Sequence, residues 1–168
     1  MTAESRRSAV LAAISSTNQP ISATVLAKQF GVSRQIIVGD VALLRATGAK
    51  ISATPRGYVI QQDITGIIRQ VATRHNGDQM EEELNIIVDH GCTVLDVIVD
   101  HPIYGQLAGQ LQLSSRYDIQ QFVARSAQAQ PLSLLTEGIH LHTLSCPSEE
   151  AYERVCDALQ QVGLLLDQ

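Results

Sequence analysis

The sequence predicts an α+β chain of two domains, and three observations carry that reading. Helical apolar spacing, with caps and stops, fills the first 50 residues or so; strand and helix patterns alternate from residue 64 onward; and the charge changes sign between the two parts. Residues 1–60 hold seven Lys and Arg against two acids, a net +5, while residues 61–168 hold five Arg against fifteen acids, a net −10. A charge of −5 spread evenly would argue against nucleic acid, but this distribution assigns the halves different partners. Charge and pattern both break near Gln61-Gln62-Asp63, giving domains at 1–62 and 63–168.

A chain of 168 residues can bury two small cores. No apolar run approaches the roughly 20 residues of a membrane-spanning helix, and no charged-then-apolar leader precedes a cleavage site. The expectation is a soluble, cytoplasmic protein with no membrane partner. Cys92, Cys146 and Cys156 are odd in number, widely spaced and outside any C-x-x-C pattern. They predict neither a disulfide framework nor a cysteine zinc site, only small buried or half-buried residues.

In the basic half, "ESRRSAVLAAISS" places Val10, Leu11 and Ile14 at helical spacing, and Pro20 ends that helix. Ser22 then caps a second helix, with Val25, Leu26 and Phe30 on one face and a stop at Gly31. Ser33 caps a third, with Ile36, Ile37, Val41 and Leu44 as its buried positions and a stop at Gly48. Two helices joined by Gly-Val-Ser form a helix-turn-helix. "KISATPRGYVI" adds two short β-prone runs around Thr54-Pro55-Arg56-Gly57, a hairpin of the kind that makes a wing.

A winged helix lays its third helix in the major groove, where its first exposed side chains reach base edges and later ones reach phosphates. Ser33, Arg34 and Gln35 are the predicted base readers; Arg45, Lys50 and Arg56 are the predicted phosphate contacts, Arg56 from the wing tip. The same fold can serve protein contacts alone, but the positive charge concentrated in this half favours operator DNA. Gly39, inside the third helix, costs roughly 1 kcal/mol against Ala. Either it permits close approach to DNA or another helix, or packing elsewhere outweighs its cost.

The acidic half reads strand "GIIRQVATRH", helix "DQMEEELNIIVDHG", strands "TVLDVIVD" and "YGQLAGQLQLSS", helix "RYDIQQFVARSAQ", strand "GIHLHTLS" and helix "PSEEAYERVCDALQQVG". That β-α-β-β-α-β-α order predicts helices on one face of a small, mostly antiparallel sheet. Glycine-rich phosphate loops, nucleophile elbows and Ser/His/Asp sets are absent from the sequence.

Residues two apart on a strand share a face, so His140 and His142 present both rings to one side. His75 closes the first strand of this half, and Glu83 follows eight residues later within Glu81-Glu82-Glu83. If the first and last strands are neighbours, the four form a three-histidine, one-carboxylate site suited to zinc, nickel or ferrous iron and not to calcium or magnesium. Spacing alone leaves the alternatives open: a satisfied half-buried histidine, and an acidic triplet that is a solvated helix face. His90 reads as a helix C-terminal cation. His101, before Pro102 in "DHPIYG", either aims its ring into a pocket or belongs to a turn.

The motifs "VSRQIIV", "ALLRATG", "ISATPRGY", "EEELNIIVDHG", "DVIVDHPIYG", "SSRYDIQQF" and "LSLLTEGIHLHT" together resemble the niacin-responsive transcriptional repressors over almost the entire chain. The resemblance implies an intracellular homodimeric repressor of genes for niacin uptake or NAD synthesis, with nicotinic acid as corepressor. It implies a transition metal held at His75, Glu83, His140 and His142, and a C-terminal domain that looks like the phosphocarrier-protein fold. A corepressor carboxylate needs a positive partner in a half with five arginines. The metal would supply it, with His101, Tyr104 and Arg116 as pocket walls. Gly39 departs from the family's polar or charged residue, which bears on the bases read. The alternative is a metal-dependent enzyme acting on a small carboxylate and fused to a DNA-binding module, since H-x-H also occurs in cupins and amidohydrolases. Those folds need many consecutive strands or a full barrel, and no spare general base accompanies the four residues.

Overall fold

The computed structural model describes residues 1–61, 64–127, 132 and 136–166. The chain divides into two compact units, Met1–Asp63 and Ile64–Gln168. The boundary expected at residues 62 and 63 lies outside the described residues.

The first unit contains α1 (Ala3–Ser15), α2 (Ala23–Phe30), α3 (Arg34–Ala46), β1 (Ile51–Thr54) and β2 (Gly57–Ile60). Each helix begins where a hydroxyl satisfies an otherwise unpaired backbone N–H: Thr2 accepts from Ser5, Ser22 from Val25 and Ser33 from Ile36. Val10, Ile14, Leu26, Ile37, Val41 and Ile51 form the core, each contributing about 1.5–3 kcal/mol on full burial.

Two expected core residues lie outside it. Val25 is 53% exposed and Ile36 42% exposed, because the buried stripes run through Ala23, Leu26 and Ala27 on α2 and through Ile37, Asp40 and Val41 on α3. One residue is a 100° turn of the helix, enough to carry Val25 and Ile36 out to solvent. Asp40 can occupy a buried position because Arg6 of α1 reaches it with Nε 2.6 Å from Oδ2, and Arg7 stands 4.0 Å away.

β1 and β2 pair antiparallel, with Thr54 opposite Gly57. Gly57 has φ +136°, and a Cβ there would lie 2.4 Å from the Ile21 carbonyl carbon. Its neighbour Tyr58 exchanges two backbone hydrogen bonds of 2.9 Å with Ile21. Glycine thus lets the wing seat against the chain entering α2.

The second unit runs β3 (Ile67–Arg74), a single 3-10 turn, α4 (Met80–Asp89), β4 (Thr93–His101), β5 (Gly105–Leu113), α5 (Arg116–Ser126), β6 (Ile139–Cys146) and α6 (Glu149–Gln161). The sheet order is β3-β6-β4-β5, antiparallel throughout. Leu84 and Ile87 of α4, Ile119 of α5, and Val155 and Leu159 of α6 pack against Val71, Val94, Leu113 and Leu144, so the helices cover one face of the sheet. Along β6 the residues facing them are His140, His142, Leu144 and Cys146. A segment after α6, not anticipated from the sequence, lies along the outer edge of β3: Arg74 donates to the Leu164 carbonyl and Leu166 to that of Ala72.

The cysteine expectation needs one correction. Cys92 and Cys146 are buried as expected, yet their sulfurs are joined in a disulfide. Pairing of Thr93 with Ser145 sets the two Cα atoms 4.3 Å apart. Sheet topology makes this pair, and a sequence separation of 54 gave no sign of it. Cys156 is free.

Candidate metal centre and nucleic-acid surface

β3 and β6 are neighbours, with Val71 opposite His142 and Thr73 opposite His140. His75 extends β3 by one residue beyond Arg74, and its N–H reaches the Gly138 carbonyl. From the helix layer, α4 inserts Glu83, which is fully buried while Glu81 and Glu82 stay exposed. The acidic triplet is therefore a solvated face at two positions and a buried donor at the third.

Four buried side chains converge. The Nε2 atoms of His75, His140 and His142 lie 2.5, 3.1 and 3.3 Å from Glu83 Oε2. Each ring is anchored through its other nitrogen: Nδ1 of His75 on the Asn76 carbonyl at 2.6 Å, of His140 on Gly138 at 2.8 Å, and of His142 on Asp96 at 2.7 Å. A carbonyl only accepts, so every Nδ1 carries the hydrogen and a neutral ring directs its Nε2 lone pair at the carboxylate. Lone pairs aimed at an anion require a positive species between them.

In the metal-free chain protons supply it. Burial pushes Glu83 upward, but the charge of His142 and hydrogen bonds from all three histidines outweigh it and hold the carboxyl well below its ordinary range. His75 and His142 are pulled down by burial and raised further by the hydrogen bond and charge of Glu83, ending above the ordinary imidazole value. A divalent cation would meet the same demand with three nitrogen donors and one carboxylate oxygen. That donor set fits a transition ion; calcium and magnesium prefer all-oxygen shells. The backbone anchoring of each Nδ1 is the outer-shell arrangement that histidine ligands need.

Thr73 belongs to the same cluster and was missed from the sequence. It is fully buried, and its hydroxyl lies 2.5 Å from Glu83 Oε1 and 3.0 Å from His140 Nε2. Its only sequence signal was a strand register that cannot be read before the pairing is known.

The suggested pocket walls are not gathered in one place. His101 ends β4, and its Nδ1 accepts N–H bonds from Ile103 at 3.1 Å and Tyr104 at 3.2 Å, so the ring closes the β4–β5 turn. Tyr104 is 74% exposed beside it. The β4–β6 register puts this turn at the same end of the sheet as Gly138 and His75. Arg116 stands at the other end of β5, about 25–30 Å along the strand. It pairs with Asp89 in an open cleft lined also by Asp78, Glu81 and Glu82. Within one chain Arg116 therefore lies apart from His101 and Tyr104, in a cleft whose other charged residues are all acidic.

In the first unit, Arg34 and Gln35 are exposed on the opening turn of α3, and Arg45 and Lys50 are exposed beyond it. The Ser33 hydroxyl is engaged as the cap of α3. Arg56 is half-buried in the wing turn, its N–H donating to Thr54 Oγ1 at 3.3 Å. Ile36, Gly39 and Leu43 form an exposed apolar stripe between Arg34 and Arg45. A Cβ on Gly39 would meet nothing within 4 Å, so no contact within the described chain calls for glycine there.

Fold and site together define a two-unit DNA-binding regulator, a winged helix joined to a domain with a buried histidine–carboxylate cluster. Residues 6–59 match the HTH domain family and residues 68–168 the 3H domain family. The chain is 38% identical over 167 residues to the probable transcription repressor NiaR of Thermotoga maritima, covering 98% of this chain and 95% of that one. It is 40% identical over 167 residues to the transcription repressor NadR of Bacillus subtilis, covering 96% and 93%. The chain belongs to the niacin-responsive, 3H-domain transcription repressors. It is a repressor and not an enzyme, which removes the metal-dependent enzyme alternative. Among the described residues, no helix is long and apolar enough to cross a membrane.

Proposed function

We propose that the chain is a homodimeric repressor of genes for niacin uptake or NAD synthesis. It binds operator DNA with nicotinic acid as corepressor and holds zinc, nickel or ferrous iron at His75, Glu83, His140 and His142. The observation that carries this reading is the convergence of three backbone-anchored imidazoles on one buried carboxylate oxygen. A cation there supplies the positive charge that a carboxylate ligand needs in a half of net charge −10. His101 and Tyr104, at the same end of the sheet, remain as walls for the ring.

The basic first unit supplies DNA affinity through Arg45, Lys50 and Arg56 on phosphates and base reading through Ser33, Arg34 and Gln35. A dimer presents two third helices to half-sites about one helical turn apart. Nicotinic acid raises operator affinity by its preference for the DNA-competent arrangement, and the operator must tighten nicotinic acid by the same factor.

The test is reconstitution with each metal, elemental analysis, and titration of the chain's own operator with and without nicotinic acid. Stoichiometric metal in the wild type, its loss in His142→Ala, and tighter DNA binding with unaltered nicotinic acid are the expected results. Full metal content in His142→Ala overturns the site, and operator affinity indifferent to nicotinic acid overturns the corepressor.

A further inference from the structure

Both oxygens of Glu83 are within reach of His140 Nε2, Oε1 at 3.2 Å and Oε2 at 3.1 Å. The His75 and His142 contacts are both to Oε2, so distance favours that oxygen, but Oε1 is close enough to ligate a shared cation as well unless something holds it aside.

We propose that Thr73 is a positioning residue that restricts Glu83 to one ligating oxygen, Oε2, setting the centre at three imidazole nitrogens and one carboxylate oxygen. The Thr73 hydroxyl has one hydrogen and two acceptors in range, Glu83 Oε1 at 2.5 Å and His140 Nε2 at 3.0 Å. The charged acceptor wins, because a hydrogen bond to an ionised oxygen is about twice as strong as a neutral one. Donation to Oε1 leaves the His140 lone pair free and turns Oε2 toward His75, whose Nε2 is 2.5 Å away. A fully buried hydroxyl is costly unless bonded, and valine would satisfy this strand position equally well in shape. The side chain is thus explained by what it does to the carboxylate. With Oε1 occupied, one more coordination position stays open for an exogenous donor than a two-oxygen carboxylate would leave.

This inference rests on the metal-centre reading, and the experiment separates the two. Cobalt(II) is titrated into wild type, Thr73→Val and Thr73→Ser. The readouts are affinity, visible absorption, and the infrared difference between loaded and metal-free protein, with Glu83→Gln identifying the carboxylate bands. For wild type the expected separation of the two carboxylate stretches is the wide one of single-oxygen ligation. In Thr73→Val the separation narrows, the cobalt bands weaken as coordination number rises, and affinity falls by about 10–100-fold. Thr73→Ser restores all three. A Thr73→Val protein with wild-type spectra overturns the role of Thr73 and leaves the metal centre standing, whereas wild type without stoichiometric cobalt overturns both. A Thr73→Ser protein that behaves like Thr73→Val assigns the effect to the lost methyl and also overturns the proposal. Should Thr73→Val not fold, the wild-type infrared separation decides alone, and a narrow one is fatal.

Discussion

Gly138 lies so close to His75 that a Cβ on it would sit 2.3 Å from the His75 carbonyl oxygen, at a φ of +88°. Its own carbonyl accepts from the His75 N–H and from Nδ1 of His140, so one glycine fixes two members of the cluster. Gly138→Ala adds a left-handed penalty of about 1–2 kcal/mol and a clash with backbone that cannot swing aside. The expected outcome is a lower melting temperature for the second unit and at least a tenfold loss of metal affinity in the folded fraction. Wild-type metal affinity in this variant would reduce Gly138 to an ordinary turn residue.

The metal-free and metal-loaded proteins should respond to pH in opposite directions. His75 and His142 are raised above their ordinary 6.5, so the stability they confer is complete below that value and is lost as pH rises through their folded values. Glu83 is lowered from its ordinary 4.5, so its contribution is present above that value and is lost only as pH falls through its depressed one. The cluster's contribution to the stability of the metal-free protein is therefore fullest between about pH 4.5 and 6.5. Metal competes with those protons, so loading adds most stability at higher pH. Thermal melts of both forms from pH 4 to 9 check this, and a metal-free optimum near pH 8 would contradict it.

The fold was legible where the chain punctuates itself. Ser22, Ser33 and Gly31 mark helix ends by local hydrogen bonding, and strand alternation puts His140 and His142 on one face of β6 without saying which face is buried; both are readable without knowing any long-range pairing. The converging histidines were legible conditionally, since His140 and His142 share a face in any strand, whereas His75 and Glu83 join them only because β3 lies beside β6. What depended wholly on topology stayed hidden: the hydroxyl of Thr73 opposite His140, and the Cys92–Cys146 bond across the paired ends of β4 and β6. Arg116 shows the same dependence: its charge was visible, but its place at the far end of β5, paired with Asp89, was not.

Gly39 separates helix stability from DNA recognition. Its Cβ direction is open, so Gly39→Ala should stabilise the first unit by about 1 kcal/mol through helix propensity alone. If the gap admits DNA backbone or a base edge, operator affinity should fall by tenfold or more in the same variant. A more stable protein with unchanged operator affinity would show that the glycine has no part in recognition.

Arg34 and Arg56 should differ in kind. Arg34 is exposed on the first turn of α3; on the proposal that it reads base edges, Arg34→Ala should relax preference at one position and cost about 1–3 kcal/mol on the operator. Arg56→Ala should weaken all duplexes about equally and reduce the salt slope by roughly one. Binding of operator and scrambled duplexes over a salt series distinguishes them. A change in base preference from Arg56→Ala with the slope intact would reverse its assignment.

Coupling between the halves gives the most demanding expectation. The second unit is acidic, and its Arg116 pairs with Asp89 amid further carboxylates, so on the proposed corepressor reading the ligand carboxylate would take its positive partner from a cation at the histidine–glutamate centre. Removing the metal should therefore weaken nicotinic acid binding by at least tenfold and abolish its effect on operator affinity. The basal DNA affinity should survive, because Arg34, Arg45 and Lys50 belong to a unit with its own core. Protons on His75 and His142 stand in for the metal's charge in the metal-free cluster, so what the ligand loses is a cation with an open coordination position and not the fold of the second unit. Calorimetry on metal-free protein, shown by circular dichroism to be folded, measures the first quantity, and operator titration measures the second. Nicotinic acid affinity unchanged without metal would place its carboxylate elsewhere and break the link from the histidines to the DNA.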